Sequence, residues 1–185
     1  MNRRTAIRDL IIFAGGVTLV PSCVNHPDSA SIVLNKININ AGQEAVLGEI
    51  AAAIIPQTKT LGAKEVDAHL FVLKMVDDCY EEDVQQKFIR GLDQVESDAK
   101  KRFGKSFGKC TEKQRADILL AVESGDSASP DVSVFYEIMK ARTIQGYLTS
   151  KYVLENIKKY EMIPSVKYDG YYPVKNLKRE ERDRD

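Results

Sequence analysis

One apolar spacing constrains this chain more than any other feature. Val84, Phe88, Leu92, Val95, Ala99 and Phe103 follow one another at intervals of four, four, three, four and four. That is the period of one face of an α-helix; a half-buried strand would alternate every second residue. The outer face carries Lys, Asp, Glu and Gln, as a helix half in water requires. The spacing therefore predicts a long amphipathic helix over about 82–103, with Gly104 just past its end, where a left-handed cap residue is favoured.

The remaining punctuation is also helical. Asn40 with Gln43 fits a helix start. Val46, Leu47, Ile50, Ala51, Ile54 and Ile55 then form an apolar stripe that Pro56 ends. Residues 56–63 are a loop, and a second helix is expected over about 64–80 with Val66, Leu70, Leu73, Val76 and Tyr80 inward. Thr111 with Gln114 makes a capping box for a helix over about 112–123. Ser129-Pro130 opens another, with Pro at the first helical position. It runs to about Leu148 through Val134, Ile138 and Ala141, and a shorter sixth helix covers about 150–159. No internal repeat and no sustained strand alternation appear. The 185 residues suit one domain. The fold class is therefore all-α: a single helical domain of about five to six helices over 41–174. Its last part, 160–174, is an irregular segment rich in Tyr, Pro and Gly. Residues 24–40 read as a tether, and 175–185 as a charged tail expected to be disordered.

The first 23 residues read as an address. Arg3, Arg4 and Arg8 precede an apolar run over 10–20, too short to cross a bilayer comfortably, which takes ~20 residues. Arg3-Arg4, followed by Thr5, Ala6, Ile7 and Arg8, resembles a twin-arginine signal with Ala6 in place of the usual Phe. Val20-Pro21-Ser22-Cys23 resembles a lipobox, with Pro21 unusual at its position; Cys23 would become a lipidated N-terminus. The expectation is a periplasmic protein held at a membrane by an N-terminal lipid. The plainer alternative is a short anchor that is never cleaved.

Charge and side-chain inventory exclude much chemistry. Lys plus Arg and Asp plus Glu each number 27, so bulk charge points to no nucleic acid. Removing 1–23 takes away Arg3, Arg4, Arg8 and Asp9, leaving 24 basic and 26 acidic residues. The only His are His26, in the tether, and His69, on a helix edge. Residues 99–106 satisfy the loose form of a phosphate loop, but they close a helix where that motif must open one. There is no Cys-x-x-Cys-His, no Gly-x-Gly-x-x-Gly and no Gly-x-Ser-x-Gly. No catalytic, cofactor-binding or metal-binding residue is assigned in this chain. Asp77, Asp78, Glu81, Glu82 and Asp83 surround Tyr80, as a cation or docking patch or, more plainly, as a solvated junction favouring the next helix N-terminus. Cys79 and Cys110 either pair in an oxidising compartment or stay as two separate thiols.

Three stretches together resemble the gluconate 2-dehydrogenase subunit 3 family. Residues 47–66 carry Ile55-Pro56, Thr58, Thr60 and Gly62-Ala63, with Leu61 where Pro is common. Residues 88–107 supply the second stretch. Residues 143–174 supply the third, with Gly146-Tyr147, Thr149-Ser150, Tyr160, Pro164 and Tyr168-Asp169-Gly170. The resemblance implies a non-catalytic accessory subunit of a periplasmic sugar, sugar-acid or polyol dehydrogenase complex. In such complexes a large flavoprotein holds FAD, a cytochrome c subunit holds haem c, and the small subunit aids export and assembly of the large one. Tyr147, Tyr168, Asp169, Gly170, Tyr171 and Tyr172 are the expected partner contact; their plainer role is to strap the domain's own core. The alternative to a subunit is a free-standing lipoprotein that binds a ligand.

Overall fold

The long amphipathic helix is present with the limits its spacing predicts. In the computed structural model, which describes residues 29–125 and 129–160, it runs over Glu82–Phe103 and buries Phe88, Leu92, Val95 and Ala99. In chain order the α-helices are α1 (Ala41–Ile54), α2 (Ala68–Cys79), α3 (Glu82–Phe103), α4 (Glu112–Glu123) and α5 (Pro130–Thr149). A 3-10 turn, Phe107–Lys109, joins α3 to α4, and a π-helical turn, Val153–Ile157, follows α5. The protein is all-α, and among the described residues the nearest thing to a strand is one isolated bridge between Ser29 and Asn40.

Local chemistry sets the helix ends. Both capping boxes form: the Asn40 side chain accepts the Gln43 amide at 2.8 Å, and Thr111 accepts the Gln114 amide at 3.3 Å. Each Gln side chain reaches back to its cap, which satisfies two orphan amides at once. Gly104 closes α3 at φ 65°, a left-handed angle that costs an L side chain about 1–2 kcal/mol. Pro130 stands in the first turn of α5 behind the Ser129 cap.

The core lies where α5 packs on α2 and α3, with α1 and α4 covering the flanks. Two glycines let the axes approach. A Cβ on Gly91 would stand 2.3 Å from Phe135 Cβ, and one on Gly146 would stand 2.8 Å from Phe71 Cδ1. Next to the first contact, the Phe88 and Phe135 rings meet at 4.9 Å and 52°.

Four expectations need revision. α2 begins at Ala68, because residues 64–67 form a turn in which Asp67 takes a left-handed φ of 55°. The buried face of α5 is Val132, Phe135, Ile138, Met139, Thr143 and Gly146; Ala141 and Leu148 face out. Both faces of that helix carry apolar residues, and the one with Gly146 allows the closer approach. The sixth helix is the short π-helical turn. Finally, the stretch read as a tether is docked over its described part, 29–40. Ile37 and Ile39, two apart and so on one side of an extended chain, are buried. Ser31 donates from its amide and hydroxyl to Glu44 at 2.6 and 2.7 Å.

Asp77 holds that arm. Its side chain is fully buried, and its carboxylate accepts the amides of Asn35, Lys36 and Ile37 at 2.8, 2.7 and 3.0 Å. Burial pushes its pKa up, but the three amides and Lys74 outweigh that and hold it below the ordinary value. The Gln85 amide group donates to the carbonyls of Val76, Asp77 and Tyr80, tying the end of α2 to the start of α3.

Candidate functional site

The stretch Ile55-Pro56, Thr58, Thr60, Gly62-Ala63 folds into a loop closed on itself. Ala63 donates to the Ile55 carbonyl at 2.9 Å, and Thr58 to the Thr60 carbonyl at 3.1 Å. Gly62 sits so tightly that a Cβ would meet the Gln57 nitrogen at 2.6 Å. Two tyrosines from the C-terminal part pin the loop at Leu61. The Tyr147 hydroxyl donates to the Leu61 carbonyl at 2.9 Å, and the Tyr152 hydroxyl accepts the Leu61 amide at 3.4 Å. A Pro at position 61 would have no amide to donate.

Between this loop, α1 and α4 lies an open cleft of about 480 Å³. Its lining includes Ala52, Ala53, Pro56 and Ala116 together with Glu49, Lys64 and Arg115. The charged lining residues are committed to one another. Glu49 takes Lys64 at 2.6 Å and the Arg115 guanidinium on its other oxygen. Arg115 also donates to the carbonyls of Phe107 and Gly108 at 3.2 and 2.6 Å, which fixes the 3-10 turn against α4. Burial pushes the Glu49 carboxyl up, but Lys64 and Arg115 together hold it below the usual carboxylate range. The cleft thus mixes small apolar side chains with a charged trio fixed by its own ion pairs. Among the described residues no three His, Cys, Asp or Glu side chains are grouped to hold a metal ion.

A second surface feature lies on the outer face of α5. Ile144 and Leu148, one turn apart, are exposed, and Ile157 and Tyr160 beyond the helix are exposed too. Four of the six large exposed apolar residues thus fall within the last 17 described positions, just before the Tyr-rich segment.

Arg3, Arg4 and Cys23 lie outside the described residues, as do Tyr168, Asp169, Gly170, Tyr171 and Tyr172. Tyr147 is half-buried and occupied with Leu61, so it straps the domain from within. Cys79 and Cys110 are free thiols: Cys79 is exposed at the end of α2, and Cys110 is buried with its sulfur 3.5 Å from the Ser106 carbonyl. The acidic run divides. Asp77 turns inward to the arm, Asp78 pairs with Lys74 at 3.2 Å, and Asp83 pairs with Lys87 at 3.1 Å. His69 is buried against Gly48, with no hydrogen-bond partner for Nδ1. Residues 99–103 are helical, so their amides are not free to cradle phosphate.

Sequence reasoning did not single out Glu49, Arg115 or Tyr152. Each is a common residue on a helical or near-helical stretch, and its partner is 66 or 91 positions away. The family motif around Leu61 was the one signal that marked the neighbourhood.

Over residues 41–164 the chain matches the family described as gluconate 2-dehydrogenase subunit 3. It belongs to that family. No curated protein and no solved structure matches the chain. Membership makes the chain a subunit of a multi-subunit dehydrogenase assembly. The match starts at the first residue of α1, so the docked arm lies N-terminal to the matched residues. Among the described residues no helix is long and apolar enough to cross a membrane.

Proposed function

We propose that this chain is the non-catalytic small subunit of a periplasmic, gluconate 2-dehydrogenase-like complex that oxidises a sugar, sugar acid or polyol. It aids export and assembly of a large flavoprotein subunit, which would carry FAD, alongside a cytochrome c subunit that would carry haem c. The observation that carries this reading is the family match over nearly the whole helical domain. Arg3-Arg4 and the Val20–Cys23 stretch support export and lipid anchoring. The partner surface is assigned to the exposed face of α5 around Ile144 and Leu148, together with Tyr168, Asp169, Gly170, Tyr171 and Tyr172. Exposed apolar side chains that no described helix covers suit an interface core.

The test is affinity purification of the membrane-extracted protein in mild detergent, with an absorption spectrum of whatever accompanies it. A flavin band with a large co-purifying subunit is expected. A colourless single species would sink the complex and favour a free-standing lipoprotein. Ile144→Glu should weaken co-purification while leaving the circular dichroism of the domain unchanged.

A further inference from the structure

The described chain starts at Ser29, which is bridged to Asn40, and from there the arm is fastened to the helical body. Ala30 donates to the Ile39 carbonyl at 3.1 Å, Ser31 is held by Glu44, and Asn35, Lys36 and Ile37 are held by Asp77. Between these fastenings Ile32 and Leu34 pack against the core, and Val33 between them faces out. Val33 is 81% exposed, the most exposed large apolar residue among those described, and Lys36, three residues on, is exposed as well. Only residues 24–28 separate this fastened arm from Cys23. Six chain steps at 3.3–3.6 Å reach about 20 Å; an arm free as far as Asn40 would reach about 60 Å.

We infer that the docked arm is a membrane-contact element: it presents Val33 to the acyl–headgroup boundary and Lys36 to anionic headgroups, with Asp77 fixing its position. The inference rests on the lipid-anchor reading of Cys23. An acyl chain at Cys23 brings the bilayer within about 20 Å of Ser29. An apolar side chain so exposed, with an exposed cation three residues along the same arm, matches the layered chemistry of that surface. The arm lies N-terminal to the residues matched by the family, while Asp77, which holds it, lies within them.

The experiment uses the full acylated chain with Cys79→Ser, which removes the exposed thiol. An environment-sensitive fluorophore is attached at Val33→Cys or, as a control, at Leu120→Cys on α4, whose side chain is also exposed. Each protein is bound to vesicles of phosphatidylethanolamine and phosphatidylglycerol. The expected result is a shift of emission to shorter wavelength at position 33 and none at 120, with the position-33 shift reduced on vesicles lacking phosphatidylglycerol. Water-like emission at 33 from an acylated, vesicle-bound protein would overturn the inference while leaving the anchor intact. A mass spectrum showing no acyl group on Cys23 would instead overturn the anchor reading, and the membrane contact with it.

Discussion

The Asp77 carboxylate accepts the Lys36 amide at 2.7 Å, across 41 positions of sequence. With the neighbouring amides of Asn35 and Ile37 it forms a buried anion site occupied by a side chain of the same molecule. Asp77→Asn keeps the shape but replaces one acceptor oxygen with a donor facing other donors. The expected loss is about 2–3 kcal/mol of unfolding free energy, from weakened charge-assisted bonds and unsatisfied amides. Urea titration gives the total. Hydrogen exchange at residues 35–37 should accelerate far more than exchange in α3; equal acceleration everywhere would contradict a local fastening.

Acid stability separates into two ranges. Burial holds the His69 pKa below its ordinary 6.5; Asp67 and Glu44 raise it, and Lys64 lowers it. The unfolded chain therefore takes up this proton at a pH where the folded one does not, and unfolding binds a proton. Stability should fall as pH drops below about 6.5. His69→Leu should flatten the profile between pH 7 and 5. Glu49 and Asp77 act lower down, because their folded pKa values lie beneath the ordinary 4.5 and 3.8. Their contribution is complete above those values and is lost as pH falls through the folded pKa. A His69→Leu profile with an unchanged slope near pH 6 would show that another group is responsible.

The two glycine contacts differ in how far their neighbours can yield. In an open helix Gly→Ala would stabilise by about 1 kcal/mol. At Gly91 the added methyl meets Phe135 Cβ at 2.3 Å and the Asp131 carbonyl at 2.6 Å, both close to the backbone. Gly91→Ala should lower stability by about 2–3 kcal/mol. Gly146→Ala meets the Phe71 ring edge first, at 2.8 Å, and should cost nearer 1 kcal/mol. Thermal melts of the two variants should rank in that order.

Tyr147→Phe deletes the hydroxyl that donates to Leu61. It should cost about 0.5–1.5 kcal/mol and loosen the 56–63 loop, with faster exchange at the Ala63 amide. Circular dichroism at low temperature should not change. An unchanged exchange rate at Ala63 would mean that the internal bonds of the loop suffice without the tyrosine.

Much of this fold is legible in the sequence because its determinants are local. The Asn40–Gln43 and Thr111–Gln114 boxes and the Gly104 cap each act within four residues, and each appears where the sequence places it. The inward face of α5 was legible only in part: Ile138 is buried and Val134 packs against the core as read, but Ala141 and Leu148 are exposed. Ala141 and Leu148 compete with Val132, Phe135 and Met139 for burial, and the close packing of Phe135 on Gly91 and of Gly146 on Phe71 favours the latter. The surfaces were less legible still. Asp77 sits in an acidic run, and nothing local sets it apart from Asp78; the amides that define its role come from the arm. Glu49 and Arg115 are ordinary charged residues on amphipathic helices until the chain brings them together.

Leu61 is held on both its backbone groups by tyrosines that stand on either side of Ser150, where α5 ends. The 56–63 loop is therefore registered against the C-terminal end of α5 from two directions, and a displacement of either one is opposed by both hydrogen bonds.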